Sequence, residues 1–67
     1  MFVLVFDFPR NLTTARRKLN RLLHRINAKR LQDSVWSCDD LQQLMEVALF
    51  IKNFGGRASI LEEKFVF

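Results

Sequence analysis

Cysteine and histidine are nearly absent from this chain: Cys38 and His24 are the only ones. One thiol excludes an internal disulfide, and one imidazole beside one thiol excludes a structural zinc cluster. Long apolar runs are also missing. The run over residues 1–6 stops at Asp7 and Pro9, far short of the ~20 residues a helix needs to cross a bilayer. No basic lead segment or cleavage site accompanies it, so the expected location is the cytoplasm, away from any membrane. Glycine occurs twice, as Gly55-Gly56. That pair follows an apolar helical segment and does not form a phosphate-cradling loop.

These absences matter because the chain has only 67 residues. One domain, residues 1–67, is all that length supports. A domain this small buries only ~60% of the surface its unfolded chain exposes. It normally needs a disulfide, a metal or a partner subunit, and the first two are excluded here. An apolar fraction of 49% supplies surface for the third. A homodimer is therefore expected.

What the chain has in excess is positive charge. Eleven Lys and Arg stand against seven Asp and Glu, a net charge of +4. Seven of the bases fall within residues 16–30: Arg16, Arg17, Lys18, Arg21, Arg25, Lys29 and Arg30, with no acid between them. Such a cluster is the electrostatic footprint of a nucleic-acid contact, although a solvated helix face has the same composition.

Periodicity orders the elements. Phe2-Val3-Leu4-Val5-Phe6 is an unbroken β-branched and aromatic run, as in a central strand. Leu12, Ala15, Leu19, Leu22, Leu23 and Ile26 recur at three- and four-residue steps, predicting an amphipathic helix capped by Asn11 or Thr13. Arg17, Arg21, His24 and Arg25 are expected to share its solvent face. Residues 29–38 predict two short strands turning near Asp33-Ser34, or a single bent strand. Ser37, Asp39 or Asp40 is expected to cap a second helix, which is apolar on more than one side and ends at Gly55-Gly56. A strand over residues 57–63 and a short terminal one over 64–67 follow. The order is that of the split βαβ pattern. The expected class is α+β: a ferredoxin-like β-α-β-β-α-β sandwich with a four-stranded antiparallel sheet, two helices on one face and an added C-terminal strand.

Asp7 is the sharpest chemical candidate, since it stands at the mouth of the sheet. One carboxylate is a poor Mg²⁺ site by itself. Two, related by a dimer axis, would flank a cleft and hold one ion that activates water for phosphodiester attack. A carboxylate at this position also serves simply to end a strand or cap a helix. Gln32, Ser34 and Trp36 form a second group. No base is placed to activate Ser34, so a turn role suits it better, and Trp36 suits a core or an interface. Arg57, just after the glycine pair, suits either a phosphate or a surface carboxylate.

Phe6-Asp7-Phe8-Pro9, then Arg16-Arg17, then Arg30-Leu31-Gln32-Asp33-Ser34-Val35-Trp36 together resemble the CRISPR-associated Cas-two family. That family pairs an aromatic residue with Asp after its first strand, places an arginine pair early in its first helix, and has a Gln-x-Ser-Val-aromatic stretch. The resemblance covers most of the chain. It implies a ferredoxin-like homodimer of antiviral defence that bridges dimers of the Cas-one integrase and binds duplex DNA or RNA. It also implies, for some members, a Mg²⁺-dependent endonuclease, either endoribonuclease or DNase. The family's metal-binding, catalytic aspartate falls on Asp7, its helical arginines on Arg16 and Arg17, and its motif serine on Ser34. Members often run longer, with a loop before the second helix and a C-terminal strand. Stand-alone relatives share the core, among them VapD-like toxin nucleases and a domain of PaaX-type regulators. A non-CRISPR nuclease or a non-catalytic interaction module is therefore the alternative.

Overall fold

The structure, a computed structural model, describes residues 1–62. The expected terminal strand over residues 64–67 lies outside them. The elements are β1 (Phe2–Asp7), α1 (Thr13–Arg25), β2 (Lys29–Gln32), β3 (Val35–Cys38), α2 (Leu41–Asn53) and β4 (Arg57–Glu62). They form one four-stranded sheet in the order β2-β3-β1-β4, with every neighbouring pair antiparallel. Each helix connects two strands that straddle a third. This is an α+β fold consistent with the ferredoxin-like arrangement.

Alternation along β1 sorts its residues between two faces. Phe2, Leu4 and Phe6 join the core with Phe8, while Val5 and Asp7 face outward, Val5 being 38% exposed. Leu19 and Leu23 of α1 and Leu44, Val47 and Ile51 of α2 join the same core. Both helices therefore cover one face of the sheet; on the other face Val5 and Leu61 are exposed, while Val3 and Ser37 are buried. Trp36 and Cys38 enter from β3, and Ala58 and Ile60 pack against the cluster from β4. Leu4, Leu23, Leu44 and Ile51 are sealed from solvent.

The helix ends follow local chemistry. Asp40 caps α2 by accepting from the Gln43 N–H at 3.2 Å. Neither Asn11 nor Thr13 caps α1. Leu12 occupies the cap position and makes no side-chain cap bond. Pro9 sets that start, since its carbonyl accepts the Leu12 N–H at 3.4 Å and fixes the turn one residue away from either polar side chain. Both helices end in the same motif. Asn27 (φ 59°) and Gly55 (φ 87°) adopt the left-handed conformation. The next N–H reaches back in each case, Ala28 to Leu23 at 3.0 Å and Gly56 to Ile51 at 2.9 Å, which is the Schellman pattern.

The β2–β3 hairpin turns at Asp33-Ser34 as expected, with an ion pair between Arg30 and Asp33 across it. A bulge between Arg30 and Gln32 shifts the register there.

Candidate nucleic-acid interface

The working end of the molecule is where β1 finishes. Asp7 is the last residue of β1, is exposed, and stands in register with Arg57 of β4. Pro9 turns the chain, Arg10 follows it, and the opening of α1 carries Arg16 back over the same edge. The β2–β3 turn is tied to this edge by the Phe6 N–H, which donates to the Ser34 carbonyl at 3.1 Å. These three segments enclose a cleft of about 570 Å³. Its rim carries Asp7, Arg10, Arg16, Asn20, Arg30, Asp33 and Ser34, and its inner wall carries Trp36.

Five of the residues singled out from the sequence therefore meet in one place: Asp7, Arg16, Arg30, Ser34 and Trp36. Gln32 does not join them. It pairs with Val35, whose neighbour across the sheet is Val5 on the face away from the helices, whereas Trp36 enters the core. Strand alternation separates the two. Arg10 and Asn20 are members that sequence reasoning missed. Arg10 carried a signal, since it lies between the Asp7-Phe8-Pro9 break and the helix. Asn20 is four residues, about one helical turn, beyond Arg16.

The remaining bases of the cluster are not on one surface. Arg17, Arg21 and His24 line an outer groove of α1 with Thr14 and Asn20. Arg25 lies instead on the flank towards α2, with Lys18, Gln43, Glu46 and Phe50. The Lys18 ammonium stands 5.9 Å from the Phe50 ring centre, a cation–π distance. Lys29 and Arg30 belong to β2. The helix carries bases on several flanks because arginines four apart advance about 40° around it. Asn20 lines both the cleft and the outer groove, so the two form one basic surface.

Among the described residues Arg30–Asp33 is the one ion pair. The guanidiniums of Arg10, Arg16, Arg17, Arg21 and Arg57 have no carboxylate of the described residues within 4.0 Å. A field of that sign attracts a polyanion. It also bears on metal binding. No group of three His, Cys, Asp or Glu side chains gathers among the described residues, and Asp7 sits among arginines. The donors among the described residues do not by themselves fit a divalent cation.

Trp36 forms the back of the cleft and is 3% exposed. Its indole Nε1 has no acceptor among the described residues, which costs about 1–3 kcal/mol for a buried donor. His24 stands edge-on to the indole, ring centres 5.5 Å apart. It lines the outer groove, while Ser34 lines the cleft. Ser34 and His24 are thus not assembled as a nucleophile and base. Cys38 is buried and directs its thiol to the Ile26 carbonyl at 3.6 Å.

The opposite end of the sheet is acidic. A groove of about 850 Å³ runs along α2 past Phe2, with Leu41, Met45 and Leu49 as its apolar strip and Asp39, Asp40 and Glu46 around it. Met45 and Leu49 are more than half exposed. No helix is long and apolar enough, among the described residues, to cross a membrane.

Family models, curated proteins and solved structures were all compared with the chain, and none matched.

Proposed function

We propose that the chain works as a homodimer that binds nucleic acid across the cleft beside Asp7 and the outer groove of α1, in the manner of the Cas-two proteins its motifs resemble. The observation that carries this is the basic surface running from Arg10 and Arg16 through Asn20 to Arg17 and Arg21 without an ion-pair partner in the described residues. Phosphates supply the missing countercharge. The dimer is supported by exposed apolar side chains on the sheet face away from the helices, Val5 at 38% and Leu61 at 56%. A second copy laid on that face would bury these side chains. Duplex DNA and RNA are the ligands of this proposal, the cytoplasm its location and the Cas-one integrase its protein partner.

Cleavage is the further step the resemblance implies. Asp7 from each subunit would have to approach closely enough for both carboxylates to share one Mg²⁺. Only the exposed position of Asp7 at the strand end supports this. The alternative is a stand-alone relative, either a VapD-like nuclease or an interaction module. The acid-rimmed apolar groove on α2 favours the interaction module, since such a groove suits a protein partner.

The deciding experiment is a titration of the purified protein with duplex DNA and RNA at several salt concentrations. Binding that weakens steeply with salt is the expected result. Weak, salt-insensitive binding at low ionic strength would exclude the proposal.

A further inference from the structure

We infer that the cleft between β1, α1 and the β2–β3 turn is a binding site for a phosphomonoester, the dianionic phosphate of a strand end or of a free nucleotide. This deepens the nucleic-acid proposal and rests on taking that cleft as a point of contact.

Charge and shape select this ligand. The Arg30 guanidinium is engaged by Asp33, so that pair is close to neutral. Around Asp7 remain Arg10 and Arg16 in the cleft and Arg57, its partner across the β1–β4 ladder. Arg57 does not line the cleft itself but the small depression on the other side of Asp7, which it shares with Arg10. The lining of the cleft carries a charge of +1, and Arg57 beside Asp7 raises the whole edge to +2. An internal phosphodiester carries one negative charge, whereas a phosphomonoester carries about −1.5 to −2 at neutral pH. Guanidiniums bind such groups through paired, charge-assisted N–H donors.

The cleft is also closed at its back. Trp36 and Phe8 are buried there. A strand running through would have to enter and leave past this wall, but a terminal group has only to enter. A volume of about 570 Å³ exceeds what phosphate alone needs and falls within the range of about 300–1,000 Å³ that small ligands occupy. The Asn20 amide and the Ser34 hydroxyl remain for the attached sugar or base. Trp36 is the buried residue of this wall that also touches His24 of the outer groove, so its indole senses occupancy of the cleft.

Trp36 is the only tryptophan, so its indole N–H gives a single resonance that reports on the cleft. ¹⁵N-labelled protein is titrated with AMP and, separately, with adenosine. The expected result is a saturable shift of the indole peak with AMP and none with adenosine at equal concentration. Arg10→Ala and Arg16→Ala, both at exposed positions, should each weaken AMP binding by about tenfold or more, as for loss of a hydrogen bond to a charged group. A pentanucleotide with a 5′-phosphate, compared with its 5′-hydroxyl form, separates the two sources. Tighter binding of the phosphorylated strand than of AMP identifies a strand end; AMP binding as tightly as that strand identifies a free nucleotide. An indole peak unmoved by AMP at millimolar concentration, or moved alike by adenosine, overturns the inference. Duplex binding that persists after such a failure would leave the broader proposal intact. AMP binding without duplex binding would leave the cleft and remove that proposal.

Discussion

A Cβ placed on Gly56 would stand 2.5 Å from the carbonyl oxygen of Asp7 and 2.7 Å from Cγ2 of Ile51. The chain leaving α2 thus passes directly against the end of β1, in a space only glycine fits. Gly56→Ala should destabilise the protein by about 1–3 kcal/mol, as overpacking does, and weaken ligand binding because it shifts the end of β1, from which the chain runs on to Arg10. Gly55→Ala has nothing within 4 Å of its new methyl and should cost only the left-handed backbone, about 1–2 kcal/mol, with binding unchanged. Urea unfolding beside a nucleic-acid titration checks both.

The Asp7 carboxylate has the opposite sign from a phosphate and shares its edge with Arg10, Arg16 and Arg57. Asp7→Asn should therefore tighten nucleic-acid binding by several-fold, on the order of 1 kcal/mol for one charge near a surface. The same variant should lose any Mg²⁺-dependent cleavage that the wild type has. Fluorescence anisotropy and a nuclease assay on one preparation separate the two effects. Weaker binding would mean that Asp7 holds the arginines in place.

Arg17 and Arg21 line the outer groove, whereas Arg25 lies on the flank towards α2. Arg17→Ala and Arg21→Ala should each lower the slope of log K against log salt by about 0.9, one phosphate contact apiece on duplex DNA. Arg25→Ala should leave the slope unchanged. A slope that falls equally for all three would place the nucleic acid across the whole helix.

The exposed Val5 and Leu61 on the sheet face away from the helices predict the assembly. Val5→Asp puts a charge on that face, and light scattering after gel filtration should then report a monomer. Leu49→Glu, on the exposed strip of α2, should leave the mass of a dimer. The reverse outcome would move the interface to α2.

Much of the scaffold was legible in the sequence because short-range rules decide it. The β1 run, the three- and four-residue spacing of α1, the turn at Asp33-Ser34 and the stop at Gly55-Gly56 all act within a few residues. The cap of α1 was misread because Pro9, not the polar side chains nearby, sets where the helix starts. The cleft was only partly legible. Asp7 and Arg16 stood out as residue types, but their meeting with Ser34 depends on the Phe6–Ser34 bond between distant segments. Arg25 was grouped with Arg17 and Arg21 because a helical stripe was judged without knowing where α2 would pack.

The acidic groove has a consequence for how the molecule approaches a ligand. Asp39, Asp40 and Glu62 cluster where β1 begins, and Arg10, Arg16 and Arg57 where it ends. The molecule is therefore an electric dipole laid along its own central strand. Before any contact forms, a polyanion exerts a torque on it that swings the cleft forward and the α2 groove to the rear. A protein bound in that groove would be carried on the trailing side, clear of the nucleic acid.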